Sequence, residues 1–370
     1  MTMENASQAS SDHRPSLALA LGGGAARGLA HIGVLEVLER EGIEPDCIAG
    51  SSMGGLIGAL SAAGLKAPEI MDVARSFHFP RWFLPGGLLR WDSLFGSAVS
   101  ALSRTFEQLE IPLIVTAVDL EVGSQVILHS GPLLAAVRAT CAVPGVLPAE
   151  KLGGRWLVDG GLVNVLPVDA AWMADPGIVV AVKVGSLRTR RIPQLEWRLT
   201  SLLSRFGGIV PNPATAKVSF EVLVRAAEII LERQTALAAA MTGPEVLIEP
   251  DLGDISLRDF QRLDQAIAAG RRATEAALPE ITRLLESPAR VPAVGKSVFQ
   301  LSFDPVCAMV ISPSRARATA QHAGTTYSFC SANCRDCFVR DPDHYLGKVA
   351  LSFGSTRKRA RKIAPEEARP

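Results

Sequence analysis

The chain has 370 residues, of which 48% are hydrophobic and 20% are charged, and its formal net charge at pH 7 is +1. This length and apolar content suffice for one large domain with its own core and one smaller domain. The near-neutral charge excludes a bulk electrostatic attraction to nucleic acid, so we expect no nucleic-acid partner and only local contacts with acidic lipid.

The first 15 residues are polar, include acidic residues and lack an apolar stripe, so we expect a disordered leader. The apolar stretch that follows, residues 17–21, is too short for the hydrophobic region of a signal peptide. The sequence also contains no run of about 20 apolar residues. We therefore expect a cytoplasmic protein, and peripheral contact with the inner face of the membrane stays open.

A glycine-rich loop follows this short apolar stretch. In residues 17–38 (LALALGGGAARGLAHIGVLEVL) a strand pattern runs through glycines into an amphipathic helix pattern. The amides of Gly22, Gly23 and Gly24 can point at one ligand, and the following helix N-terminus adds partial positive charge, so the loop suits an anion. With Arg27 nearby, these residues are the candidate oxyanion hole.

Two other interpretations of this loop fail at a required residue. A dinucleotide-binding fingerprint needs glycine where Arg27 stands. A Walker phosphate-binding loop needs lysine followed by serine or threonine where Leu29 and Ala30 stand.

The next motif contains a serine that such a loop could serve. Residues 48–60 (IAGSSMGGLIGAL) predict a strand, a sharp turn and a helix, with Ser52 at the centre of a G-x-S-x-G pattern. This kind of turn exposes the serine hydroxyl on strained backbone, so Ser52 is the candidate nucleophile. A loop that only turns the chain would have the same short pattern, but the upstream glycine loop favours the nucleophile.

A third motif contains a carboxylate. Residues 153–167 (GGRWLVDGGLVNVLP) predict a short strand that ends at Asp159 on a glycine turn. Taken alone, such a turn is usually structural, with the carboxylate accepting hydrogen bonds from local amides.

In this order and spacing, GGGAARG, GSSMG and DGG resemble the patatin-like phospholipase family, closest to its small bacterial branch. The similarity covers about residues 15–285. The resemblance implies a three-layer α/β fold with a mostly parallel central sheet. It also implies a dyad of Ser52 and Asp159 that hydrolyses acyl esters of lipids or phospholipids and needs no cofactor for catalysis.

Between and after these motifs, apolar runs alternate with helical patterns. We expect strands at 111–119, 125–129 and 178–184, and helices at 133–141, 213–241 and 256–286. Strands at helix-length intervals favour a parallel sheet, whose carboxyl edge is where such folds bind ligands.

Several segments allow two interpretations. Residues 77–95 concentrate aromatic residues with proline, glycine and arginine, which suits either a mobile flap that contacts acyl chains or the bilayer, or a segment buried against the core. The arginine-rich residues 185–212 favour a solvated face over a lipid-headgroup site. His31 lies close to the glycine loop, where we expect helix packing or capping rather than a catalytic triad.

The C-terminal part of the chain concentrates cysteine, because four of the six cysteines fall between residues 307 and 337. Without signs of secretion, clustered thiols indicate a metal or redox site rather than a disulfide scaffold. Thiolates favour zinc or copper(I).

Residues 301–347 resemble the YHS domain, a small module often attached to metal-handling proteins, through DPVC and Y-x-F-C-x-x-x-C. The resemblance places Cys307, Cys330 and Cys334 at the family's cysteine positions, where they would bind the metal. Cys337 is an additional cysteine that could complete a four-thiolate site or be a bystander. Ala308 stands where the module commonly has glycine, which leaves the resemblance intact.

We therefore expect five parts: a disordered leader (1–15), an acyl hydrolase domain (16–287), a linker (288–300), a YHS-like domain (301–347) and a basic disordered tail (348–370). The expected function is a serine acyl hydrolase that contacts a membrane surface transiently. The alternative is a non-catalytic lipid-binding regulator or scaffold whose C-terminal module senses metal.

Overall fold

The structure is a computed structural model, and it describes residues 14–77, 91, 95–185, 213–287, 302–306, 310–311, 316–329, 331–342 and 345. Several expectations fall outside these ranges: most of the leader, most of the aromatic segment, nearly all of the arginine-rich segment, the linker, the basic tail, and Cys307 and Cys330.

Twelve strands and nine helices lie in the described ranges. The strands are β1 (Leu17–Leu21), β2 (Cys47–Ser51), β3 (Leu113–Asp119), β4 (Gln125–Leu128), β5 (Glu150–Leu152), β6 (Arg155–Asp159), β7 (Ile178–Val182), β8 (Val246–Ile248), β9 (Ser302–Phe303), β10 (Val310–Ile311), β11 (Ala318–His322) and β12 (Thr325–Phe329). The helices are α1 (Ala30–Arg40), α2 (Met53–Ala62), α3 (Ala67–Arg75), α4 (Val99–Leu102), α5 (Leu133–Thr140), α6 (Val168–Trp172), α7 (Pro213–Thr242), α8 (Leu263–Glu286) and α9 (Ala332–Arg340).

Eight of the strands form one mixed sheet in the order β5-β6-β3-β2-β1-β7-β8, with β4 also paired to β3. The five central strands from β3 to β8 are parallel, whereas β4, β5 and β6 pair antiparallel. The expected mostly parallel α/β sheet is therefore confirmed.

The sheet has a hydrophobic core on each face. In β1, Leu17, Leu19 and Leu21 belong to one core, which includes α1, α2 and α8, while Ala18 and Ala20 belong to another, which includes α6. Side chains alternate between the two faces of a strand, so a strand that is apolar throughout must be covered on both sides. The result is the expected arrangement of three layers.

Helices α1 and α8 pack with their backbones in direct contact. A β-carbon at Gly33 would overlap the carbonyl oxygen of Ile267, and one at Gly270 would overlap the carbonyl oxygen of Ala30. Only glycine permits so close an approach, and each of the two helices contains one glycine. This contact holds the helix that follows the glycine loop.

The last long helix of this domain begins at Leu263, later than the expected residue 256. The Asp259 side chain accepts a hydrogen bond from the Ser256 amide at 2.7 Å, and residues 260–262 form a short 3-10 helix. Serine and aspartate compete with helix formation through such local hydrogen bonds, which explains the late start.

The described part of the aromatic segment is buried. Phe77 and Phe95 make an edge-to-face contact with 4.8 Å between ring centroids, and Trp91 lies 5.1 Å from Phe95. All three belong to the larger hydrophobic core. For these residues the buried interpretation is correct.

The C-terminal module consists of two β-hairpins, β9–β10 and β11–β12, and helix α9. Its core is aromatic, since the Phe338 ring lies within 6.0 Å of the rings of Phe329, Tyr327 and His322. The β10 backbone lies next to α6 of the larger domain. Within the described ranges, no helix is both long and apolar enough to cross a membrane.

Candidate active site

The topology of the sheet brings two strand ends together beside β3. Ser51 at the end of β2 pairs with Thr116, and Asp159 at the end of β6 pairs with the next residue, Ala117. Strand β4 occupies the opposite edge of β3 over residues 115–118. Therefore β2 and β6 lie on the same side of β3, run in opposite directions and meet end to end.

Ser52 occupies the sharp turn between β2 and α2. Its backbone has φ 53° and ψ −125°, a conformation that a residue with a side chain rarely adopts. The serine is 8% exposed, and its hydroxyl donates to Asp159 Oδ2 at 2.6 Å. The structure thus brings the expected nucleophile and the expected carboxylate into hydrogen-bond contact.

Asp159 is buried and accepts a hydrogen bond at each carboxylate oxygen. It is 5% exposed, and its other carboxylate oxygen, Oδ1, accepts from the Gly161 amide at 2.7 Å. Burial raises the pKa of Asp159 to about 6, against the opposing effect of the hydrogen bonds from Ser52 and Gly161. A carboxylate with such a pKa is ionised at neutral pH and can still accept a proton from a nearby hydroxyl.

The glycine loop lies directly on Ser52, because a β-carbon at Gly23 would be 3.1 Å from Ser52 Cβ. However, the Gly22 amide donates to the Val182 carbonyl at 3.1 Å, and the Gly23 amide donates to the Val165 carbonyl at 2.8 Å. These two amides are paired with neighbouring carbonyls and are therefore not free for an oxyanion. The expectation that both belong to the oxyanion hole is not met in this structure.

The remaining two members of the expected oxyanion hole differ from each other. The Gly24 amide makes no hydrogen bond with any described residue. The Arg27 guanidinium donates to the Ile255 carbonyl at 2.8 Å and to Glu228 Oε1 at 3.2 Å. These contacts give Arg27 a structural role between the loop and α7.

The amide of Met53 is a further candidate that was not among the residues predicted for the oxyanion hole. As the first residue of α2, Met53 has no acceptor within the helix for its amide. In a G-x-S-x-G turn the amide after the serine is a regular donor to the oxyanion. The motif itself carries this signal, so position 53 could have been assigned from the sequence.

His31 is fully buried, and its Nε2 lies 2.7 Å from the Gly22 carbonyl oxygen. Burial lowers the pKa of His31 to about 4, so the ring is neutral at pH 7 and Nε2 carries the proton that it donates to Gly22. His31 therefore supports the glycine loop, in the packing role that the sequence favoured over a triad.

A small cleft adjoins the glycine loop. Its walls come from the loop, the segments after β7 and before α6, and one face of α7; they include Gly24, Arg27, Val165, Val184, Glu228, Leu231 and Thr235. The wall is mixed, because it contains the charged side chains of Arg27, Glu228 and Glu232 as well as aliphatic ones.

The C-terminal cysteines are only partly described. Cys334 and Cys337 are half-buried thiols on α9 that form no disulfide, and Arg340 Nη2 donates to Cys337 Sγ at 3.2 Å. Among the described residues, no group of three histidine, cysteine, aspartate or glutamate side chains is placed to hold a metal ion. Cys307 and Cys330 lie outside that part of the chain.

Comparisons with curated proteins show relatives over most of the chain. An uncharacterized NTE family protein of Mycobacterium tuberculosis is 31% identical over 283 residues, which cover 72% of this chain and 48% of that protein. Patatin-like phospholipase domain-containing protein 6 of Mus musculus is 30% identical over 274 residues, covering 69% of this chain and 20% of that protein. The chain thus spans about half the length of the mycobacterial relative and less of the mouse protein.

Among solved structures, VipD from Legionella pneumophila is similar, with a TM-score of 0.41 and 12% identity over 72% of this chain and 67% of that chain. Two family models match the sequence: Patatin-like phospholipase at residues 19–172 and YHS domain at residues 303–349. This chain therefore carries a patatin-like phospholipase domain, in which Ser52 and Asp159 lie, followed by a YHS domain.

Proposed function

We propose that the protein is a serine acyl hydrolase that cleaves acyl ester bonds of lipids or phospholipids through Ser52 and Asp159. The observation that carries the proposal is the 2.6 Å hydrogen bond from Ser52 Oγ to Asp159 Oδ2, made from a strained turn at the carboxyl edge of the sheet. The family of the domain and its relatives support the lipid ester as substrate class.

The reaction would proceed in two halves. Ser52 Oγ attacks the ester carbonyl carbon while Asp159 accepts the hydroxyl proton, and the amides of Gly24 and Met53 stabilise the oxyanion. The tetrahedral intermediate expels the alcohol, which takes the proton from Asp159. Water then attacks the acyl-serine, Asp159 accepts a water proton, and release of the acid returns a proton to Ser52 Oγ.

A labelling experiment tests this assignment. The wild-type protein should react covalently with a fluorophosphonate probe and hydrolyse p-nitrophenyl esters, whereas Ser52→Ala should do neither, because the Ser52 hydroxyl is the group in contact with the proton acceptor. Ser61→Ala, at a buried serine later in α2, is the matched control and should keep both properties. A folded Ser52→Ala protein that still hydrolyses esters would contradict the nucleophile, and an unlabelled wild type would favour a non-catalytic lipid-binding protein.

The substrate class can be tested separately with a panel of phospholipids, lysophospholipids and short esters. Hydrolysis of the short esters without hydrolysis of any lipid in the panel would show a general esterase instead.

We also propose that the YHS domain binds zinc or copper(I) through Cys307, Cys330 and Cys334, with Cys337 as a possible fourth ligand. Cys334 and Cys337 lie on one helix and form no disulfide, which fits this donor set. Metal removal should leave ester hydrolysis intact, because the proposed mechanism uses no metal.

Elemental analysis of untagged protein provides the test. We expect about one equivalent of metal per chain, lost in Cys330→Ser and retained in Cys47→Ser, whose thiol is buried in β2. Metal-free wild-type protein with an unchanged melting temperature in chelator would exclude this site.

Finally, we propose that the domain meets a membrane surface transiently through an exposed apolar ridge, defined by Leu120, Val122 and Trp156. Their exposed fractions are 53%, 59% and 45%. The Leu120 amide donates to the Trp156 carbonyl at 2.9 Å, so the two residues are adjacent. Lys151 Nζ lies 5.4 Å from the centre of the Trp156 ring, and aromatic and lysine side chains together suit the lipid headgroup boundary.

A further inference from the structure

The strained backbone of Ser52 requires neighbours that hold it in place. A non-glycine residue at positive φ costs on the order of 1–3 kcal/mol and persists only where the surrounding structure enforces it. The Ser52 carbonyl accepts the helical hydrogen bond from Leu56 at 3.0 Å, which fixes one side of the turn. The other side is fixed by the segment at the end of α5, residues 140–142.

Thr140 binds the nucleophile's own amide. The Ser52 amide donates to Thr140 Oγ1 at 2.8 Å, and Thr140 is completely buried. Helix α2 makes room for this contact, because a β-carbon at Gly55 would lie 2.9 Å from Thr140 Cγ2. The interaction orients the peptide plane that precedes the Ser52 side chain.

The next two residues contact both members of the dyad. The Cys141 thiol donates to the Ser52 carbonyl, with 3.4 Å between sulfur and oxygen. Burial, together with the nearby Asp159 carboxylate, raises the pKa of Cys141 well above its usual range, so the donor proton is retained. The Ala142 carbonyl accepts from the Asp159 amide at 3.1 Å.

We propose that residues 140–142 form a positioning segment that sets the alignment of Ser52 with Asp159, and that Thr140 is its principal side chain. This inference rests on the proposed hydrolase function. Three consecutive residues fix the backbone of both the nucleophile and the proton acceptor, which come from strands that approach from opposite directions. Neither strand alone determines the distance between the two side chains, whereas this segment connects them.

The segment acts on geometry and not on substrate affinity. Thr140 accepts from the Ser52 amide, whereas the Ser52 hydroxyl donates to Asp159, so loss of Thr140 should lower kcat and leave KM nearly unchanged. A displacement of about 1 Å at reacting groups can reduce the rate about 100-fold. A purely structural threonine would change the melting temperature without this kinetic pattern.

The test compares Thr140→Val, Thr140→Ser and Thr274→Val in the full chain. Valine keeps the shape and removes the acceptor oxygen, while serine keeps the oxygen. Thr274 is the matched control, since it is completely buried and its hydroxyl donates to the Gly270 carbonyl at 2.9 Å within α8. Where Thr140→Val does not fold, Thr140→Ala removes the same acceptor from a smaller side chain.

We expect Thr140→Val to lower kcat for a soluble ester about 10- to 100-fold at a similar KM, with an equal fall in the rate of fluorophosphonate labelling. Thr140→Ser should recover most of the activity, and Thr274→Val should lower the melting temperature without changing kcat. Full activity in Thr140→Val, with Ser52→Ala inactive, would overturn the positioning role and leave the hydrolase intact. Activity in Ser52→Ala would instead overturn the hydrolase assignment.

Discussion

At the scale of single residues, the site combines a strained serine with a buried acid, and both features oppose stability. Burial of Asp159 is unfavourable for the charged form, as its raised pKa shows, and no cation among the described residues contacts its carboxylate. Proteins tolerate such groups at functional sites because reactivity depends on them. Asp159 therefore offers a measurable link between stability and the proposed chemistry.

Asp159→Asn should stabilise the protein at neutral pH while it abolishes hydrolysis. The asparagine can keep the contacts with Ser52 and Gly161 without carrying a buried charge. A pKa raised from 3.8 to about 6 means that the folded state binds the proton more tightly, so wild-type stability falls as pH rises from about 4 to about 6. We expect a gain of about 1–3 kcal/mol at pH 8.

The measurement is chemical denaturation of both proteins across this pH range. Below about pH 4 the wild-type carboxyl is protonated in both states, so the difference in unfolding free energy should shrink toward a constant residual. A difference that does not vary with pH would show that Asp159 is not destabilised by burial.

The sequence pointed to Ser52 through its G-x-S-x-G turn and to Asp159 through the resemblance to the patatin-like phospholipase family, and the two side chains are in hydrogen-bond contact. The same motifs could not show which loop amides are free. The acceptors of Gly22 and Gly23 are carbonyls of residues 182 and 165, which are more than 140 residues away in the chain and carry no pattern of their own. For the same reason Thr140 had no signal in the sequence.

At the scale of elements, the apolar runs correctly predicted most strands and helices of the larger domain, because strands covered on both faces are continuously hydrophobic. The end-to-end meeting of β2 and β6 could not be predicted in this way. It depends on the antiparallel register of β6 against β3, which places Asp159 opposite Ala117. Pairing over such a distance is decided by tertiary packing and not by local sequence.

Helix α1 follows the glycine loop directly, so its contact with α8 helps to hold the loop. The contribution of this contact to stability can be tested. Gly33→Ala should lower the free energy of unfolding by about 1–3 kcal/mol, because the added methyl group overlaps the α8 backbone and the helices must separate. Gly96→Ala is the control, since a β-carbon there meets nothing within 4 Å. Equal thermal stability of the two variants would contradict the close helix contact.

At the scale of the whole molecule, the described residues form a sheet domain that carries the candidate site and a small aromatic-centred module that lies next to it at α6. The cysteine pattern anticipated the module, since its hairpins are too short to be found from hydrophobic periodicity alone. The order of the three motifs predicted the hydrolase-like domain. The sequence had offered the aromatic segment as one candidate for contact with lipid, but its described residues are buried. No other surface for lipid contact was predicted.

The ridge of Leu120, Val122 and Trp156, which we propose as the membrane contact, lies near the candidate site. Trp156 precedes Asp159 by three residues on β6, which corresponds to roughly 10 Å along an extended strand. Leu157 pairs with Asp119 at the carboxyl end of β3. Trp156 directly precedes Leu157, and Leu120 and Val122 follow Asp119, so the ridge lies at the same edge of the sheet as Ser52. A lipid surface in contact with the ridge would therefore lie near the site that is proposed to cleave its esters.

Replacing Val122 with glutamate should weaken binding of the full chain to vesicles of phosphatidylcholine and phosphatidylglycerol by about 10-fold, because a side chain that would enter the interface becomes charged. Co-sedimentation measures the binding, and hydrolysis of a soluble ester should be unchanged. Val339→Glu is the matched control, since that valine is 58% exposed on α9 and lies outside the ridge. If Val122→Glu bound vesicles as the wild type does, the ridge would be excluded as the contact surface.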